Sequence, residues 1–141
     1  MNDQANLTTR VVNLLVQCNN KIADYLAEDV SSCEEINGIK IQFISHNITY
    51  VVENYNSYGI YVYPQGSKSY VCTDEFINLN VAERFIGNKF GYASCVFCTS
   101  SIINPNKRES CVSCNRGSCG YIVCTNIIDG ICKDCKDKIL T

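Results

Sequence analysis

The sequence is most informative first for what it lacks. No apolar run approaches the roughly 18 to 20 residues that a membrane helix needs, so no membrane span is expected. The opening Met1-Asn2-Asp3-Gln4-Ala5-Asn6 is polar and has neither the basic nor the apolar region of a secretory signal. The expected compartment is therefore intracellular, and Asn47-Ile48-Thr49 carries little meaning as a glycosylation sequon. Histidine occurs once, at His46, far in sequence from most of the cysteines. It reads as a partly exposed strand-end residue rather than a metal ligand or general base. No nucleophile–base pair, phosphate loop or open metal site is visible, so hydrolytic and transfer chemistry have no candidate residues. Internal repeats and low-complexity linkers are also missing.

What is abundant is cysteine, with eleven in 141 residues. In a reducing compartment disulfides are disfavoured, and an odd count argues against a closed disulfide set. Metal ligation is the reading that remains. Eight of the cysteines lie within 41 residues: Cys95, Cys98, Cys111, Cys114, Cys119, Cys124, Cys132 and Cys135. Cys95/Cys98, Cys111/Cys114 and Cys132/Cys135 are CxxC pairs, a gap that lets both thiolates of a tight turn reach one tetrahedral ion at about 2.3 Å. All-thiolate donors select zinc or iron–sulfur clusters, and the spacing does not match the ferredoxin patterns. Four ligands per zinc make two closed sites, which are structural because no position is left for water. A segment this short cannot bury a sufficient core alone, so two zinc ions are expected to be part of its fold.

Two ligand pairings satisfy the spacing. A sequential scheme gives Cys95, Cys98, Cys111 and Cys114 to one ion and the remaining four to the other. An interleaved scheme gives Cys95, Cys98, Cys119 and Cys124 to one ion and Cys111, Cys114, Cys132 and Cys135 to the other. Interleaving ties distant segments together. It needs a bend between Cys119 and Cys124, which Gly120 supplies. Cys18, Cys33 and Cys72 have no close cysteine partner in sequence and read as ordinary thiols.

The expected fold class is α+β. An α+β domain over residues 1–92 precedes a Cys-rich zinc-binding module over 93–141, joined at Gly91-Tyr92-Ala93-Ser94. Leu7, Val11, Leu14, Leu15, Cys18, Ile22, Tyr25 and Leu26 recur at helical spacing and predict one amphipathic helix from Ala5 to Glu28. Asp29 to Gly38 reads as an acidic, turn-rich stop. Strand alternation follows over Ile39–Ile44, Ile48–Glu53 and Tyr58–Tyr63, with a fourth strand over Ser69–Thr73. Together these predict an antiparallel meander with the helix on one face. A short helix is expected over Asn80–Gly87. Tyr50, Tyr55, Tyr58, Tyr61 and Tyr63 read as sheet packing or a protein interface, with nucleic-acid stacking as the rarer use.

The cysteine segment resembles a RING finger. It opens and closes on C-x2-C, and Ser118-Cys119-Gly120-Tyr121-Ile122-Val123-Cys124 is similar to the family's Cys-Gly-His-x-x-Cys core. Tyr121 stands where the family has a ligand histidine, and Lys133-Asp134 lacks the usual proline. The resemblance implies a cross-braced, treble-clef-like fold. It also implies that Val96 and Lys136 occupy positions where RING ligases contact a ubiquitin-conjugating enzyme, although no tryptophan is available for the partner groove. Across the whole chain, length, helix-then-strand order and the C-terminal cysteine cluster resemble small baculovirus RING/U-box-like proteins needed for nucleocapsid assembly. A composition rich in Asn and Ile fits an AT-rich genome, as in many insect viruses and parasites, and carries no physical argument about function.

The expectation is thus a non-enzymatic, zinc-stabilised structural protein. Its partners would be protein subunits of a larger assembly, and it would also self-associate. Its place would be the host cytoplasm or nucleus, or the virion nucleocapsid. A RING-type E3 ubiquitin ligase is the alternative, and a zinc-dependent nucleic-acid-binding protein the third reading. Charge disfavours the last. Residues 1–94 carry six basic and ten acidic side chains, a net of −4, and residues 95–141 carry six and four, a net of +2. Each zinc with four thiolates adds −2, so two sites leave the module at −2 and its attraction to phosphate weak.

Overall fold

The computed structural model describes residues 3–55, 59–92, 100–106, 127–128, 131–132, 135 and 137. The chain is α+β: N-terminal helices pack on one antiparallel sheet of seven strands.

The helical stripe is present, but in two pieces. α1 spans Asp3–Gln17 and α2 spans Lys21–Ala27, so the single helix expected over Ala5–Glu28 is corrected to a broken one. The physical reason lies at Asn19-Asn20. Asn19 takes a left-handed conformation at φ 53°, which asparagine tolerates better than most residues. Asn20 caps α2, its side chain accepting from the Ala23 N–H at 2.8 Å. Its Nδ2 donates to the Thr73 carbonyl at 3.2 Å, across 53 residues of sequence. The apolar stripe survives the break because both helices turn it inward: Val11, Leu15, Cys18, Ile22 and Leu26 are all at most 1% exposed.

The segment after α2, read from sequence as a turn-rich stop, is a strand. β1 (Val30–Glu35) pairs antiparallel with β2 (Lys40–Ser45) through a bulge between Ser31 and Glu34. Only Cys33 of β1 is buried, so its sequence carries almost no alternation and the strand exists through pairing. β2 and β3 (Ile48–Asn54) follow the expected alternation. The residues joining them, His46 and Asn47, both have positive φ, as two-residue hairpin loops of type I′ require. β4 (Ile60–Pro64) buries Ile60, Val62 and Pro64 and leaves Tyr61 and Tyr63 half-buried on the other face. β5 keeps only Cys72–Thr73 of the expected Ser69–Thr73 strand, and β6 (Ile77–Asn78) leads directly into α3 (Leu79–Phe85).

The last strand of the sheet is β7 (Ile102–Ile103), paired with β6. Ile103 is fully buried in the same core as the helices. The sheet thus takes in residues beyond the joint expected at Gly91–Ser94. Farther along, β8 (Ile127–Ile128) and β9 (Ile131–Cys132) form a separate two-stranded ladder, with Ile127 opposite Cys132. Among the described residues, no helix is long and apolar enough to cross a membrane.

The core lies between the helices and one face of the sheet. Phe43 and Tyr50 stack there at 5.7 Å between ring centroids, both at most 1% exposed. Ser45 is buried but satisfied, its hydroxyl donating 2.8 Å to the Leu26 carbonyl at the end of α2.

Candidate functional site

Of the eight cysteines assigned to metal, Cys95, Cys98, Cys111, Cys114, Cys119 and Cys124 lie outside the described residues, as do Val96 and Lys136. Cys132 ends β9, and Cys135 follows three residues later as a free thiol at 7% exposure. Among the described residues no group of three or more metal-capable side chains comes together. The donor chemistry of the segment is thiol throughout, which is the set that closed zinc sites use.

The remaining cysteines are core residues. Cys18 and Cys72 are fully buried, and Cys33 is buried with its sulfur 3.6 Å from the Thr8 hydroxyl. Burial, with the Asp74 and Asp24 carboxylates adding to it, pushes the Cys18 thiol up to about 12. Burial acts the same way on Cys72, with the neighbouring Cys18 adding to it and an Asn20 hydrogen bond opposing it. Both therefore stay protonated near neutrality, and a protonated thiol is neither nucleophile nor ligand.

His46 is held in the β2–β3 turn. Its ring stacks on Tyr25 at 3.9 Å and 8°, and its Nε2 lies 2.9 Å from the Tyr25 carbonyl oxygen. Its Nδ1 is 3.9 Å from Asp29 Oδ2. These contacts fasten the turn to the end of α2.

The tyrosines divide. Tyr50 belongs to the core, the sheet-packing use, as the parity of β3 places it beside Val52 and against Phe43. Tyr58 lies outside the described residues. Tyr55, Tyr61 and Tyr63 do come together, on the sheet face opposite the helices, and Tyr70 joins them from the loop before β5. With Glu53, Ser67 and Lys68 they line an open recess of about 440 Å³. Tyr55 and Tyr61 meet at 5.8 Å and 78°, and Tyr61 and Tyr70 at 5.9 Å and 57°. Tyr70 continues the ladder onto Phe76 at 5.2 Å.

Glu53 sits in the wall of this recess with its side chain 13% exposed. It accepts a 2.6 Å hydrogen bond from the Tyr63 hydroxyl and lies 3.3 Å from the Lys40 ammonium. Burial pulls its carboxyl up, but hydrogen bonds from Tyr55, Tyr63 and Lys40 outweigh that and hold it below 4.5. The same contacts act in reverse on the phenols. Burial and the Glu53 carboxylate push Tyr63 far above its ordinary range, and the hydrogen bond to Glu53 raises Tyr55. The site is thus a set of phenol rings around the Glu53 carboxylate.

Sequence reasoning singled out Tyr55, Tyr61 and Tyr63 as members of a tyrosine-rich stretch but missed Glu53, Ser67, Lys68 and Tyr70. Glu53 stands directly opposite Tyr61 in the β3–β4 register, a pairing that no local pattern reveals. No protein-family model matches the chain, and no curated protein or solved structure matches it.

Proposed function

We propose that this chain is a non-enzymatic, zinc-stabilised protein-interaction protein that serves as an assembly subunit of a viral nucleocapsid. The observation that carries the reading is the cysteine constellation: three CxxC pairs and two further cysteines between Cys95 and Cys135. Eight thiolates make two complete tetrahedral sets, with Cys132 and Cys135 closing the series. Bound zinc would hold the shape of the segment. Closed sets leave no position for substrate or water, so the role is to present a surface rather than to turn over a substrate. The nucleocapsid setting is supported by the whole-chain resemblance, with helices first, then an antiparallel meander, then the cysteine segment.

Elemental analysis of full chain purified without chelator should find about two zinc per molecule. Metal-free or iron-only folded protein overturns the metal reading. The protein should also co-purify with the particle, and its deletion should block particle assembly while the other components are still made. A monomer absent from the particle and dispensable for assembly overturns the subunit reading. A RING-type ubiquitin ligase is the second reading, favoured by Val96 and Lys136 at the partner-contacting positions of the pattern. Ubiquitin-chain formation that is lost in Val96→Ala, with zinc retained, would establish it over the first.

A further inference from the structure

The aromatic recess lies on the sheet face away from the helices, and no cysteine is among its described lining residues. We propose that it is a binding site for a basic side chain of a partner protein, the guanidinium of an arginine or the ammonium of a lysine, held against the tyrosine rings. The inference rests on the interaction role above only in taking the partner to be a protein.

Ring geometry is the first ground. Stacked rings hide their faces from a guest, but here Tyr61 meets Tyr55 at 78° and Tyr70 at 57°. The inclined rings line one recess, and a ring face is the negative pole of the aromatic quadrupole. A cation over such faces gains about 0.5–1 kcal/mol when exposed and about 2 when desolvated. Arginine adds planar stacking to that attraction.

Charge is the second. Glu53 is ionised in the wall, and the Tyr63 hydroxyl is committed to it at 2.6 Å. The carboxylate and the electron-rich rings oppose an anionic guest, whereas Lys40 and Lys68 favour one. Two lysines bear on the balance. Lys40 pairs with Glu53 at 3.3 Å from the neighbouring strand, so the rings supply most of the attraction. Lys68 lines the recess and is exposed, after a turn closed by Ser67 N–H donating to the Pro64 carbonyl at 3.0 Å. Its charge opposes a cationic guest, and its long, solvent-facing stem lets it move aside. This opposition makes the sign of the guest's charge measurable.

The test uses the full chain with its metal retained, carrying ¹³C-labelled tyrosine rings observed by NMR. Capped Gly-Gly-X-Gly-Gly peptides are titrated in, with X arginine, lysine, trimethyllysine, citrulline, norleucine or phosphotyrosine. The cationic peptides should shift the recess tyrosine signals and bind about tenfold more tightly than the citrulline and norleucine peptides. Tyr61→Ala should abolish the shifts of the other recess rings, and Tyr61→Phe should retain them because the face and not the hydroxyl is used. Lys68→Ala, an exposed substitution that leaves the fold intact, should tighten the cationic peptides roughly two- to fivefold.

Citrulline binding as tightly as arginine overturns the proposal, as does weaker binding in Lys68→Ala or preferential binding of the phosphotyrosine peptide. If Tyr61→Ala fails to fold, the wild-type selectivity and the Lys68→Ala sign decide. Zinc content measured on the same sample separates this result from the fate of the metal reading.

Discussion

At the scale of single residues, Glu53 shows how a carboxylate is kept charged in a half-buried aromatic setting. Burial alone would favour the protonated acid, and the hydrogen bonds from Tyr55, Tyr63 and Lys40 reverse that preference. Because the folded carboxyl lies below its unfolded value of 4.5, its contribution is fully present above about pH 4.5. It is lost as pH falls through the folded value, since the unfolded chain then binds the proton more readily. Glu53→Gln should therefore destabilise the protein near neutrality. The gap from wild type should shrink progressively in denaturant titrations below pH 4.5. A gap that stays constant with pH would show that the hydrogen bonds, and not the charge, carry the effect.

At the scale of elements, the joint between α1 and α2 decides how the helices meet the sheet. Asn20 satisfies the start of α2 through Ala23 and reaches across to Thr73 of β5, and at 7% exposure neither end of its amide has ready access to water. Asn20→Ala removes the cap and leaves the buried Thr73 carbonyl without this donor. The expected cost is roughly 1–3 kcal/mol, read as a lower urea midpoint with an unchanged slope. Asn20→Asp keeps the cap acceptor but loses the Nδ2 donor, so it should fall between the two. Equal stability of Asn20→Ala and wild type would show that the helix break is held by packing alone.

At the scale of the whole molecule, the buried core thiols and the cysteines proposed to bind zinc should respond differently to change. Cys18 is a protonated core thiol, whereas Cys98 and Cys135 are assigned to the zinc sets. Cys98→Ser or Cys135→Ser should release zinc and unfold the C-terminal segment, because a structural site fails when its shell is opened. Cys18→Ala should cost stability but leave zinc at about two per chain, since it removes only packing. Metal analysis after gel filtration distinguishes the outcomes. Zinc lost in Cys18→Ala would mean that a ligand has been misassigned.

Much of this was legible locally. Helical periodicity picked out the residues that α1 and α2 bury, because a 3.6-residue repeat places them on one side whatever they pack against. Alternation placed β2, β3 and β4 for the same reason, with a period of two. The cysteine spacing motivates the proposed donor set in the same local way, since CxxC geometry is a property of a short turn. What the tertiary structure decided was everything that depends on a partner distant in the chain. The break at Asn19-Asn20 is held by Thr73, and β1 and β7 are strands only because β2 and β6 offer open edges to pair with. The inward turn of Tyr50 and the outward turn of Tyr61 share one alternating pattern, and only packing against the helices settles which parity faces the core. The recess exists because the register sets Glu53 opposite Tyr61 and the chain brings Tyr70 beside it, a juxtaposition no local pattern of residues encodes.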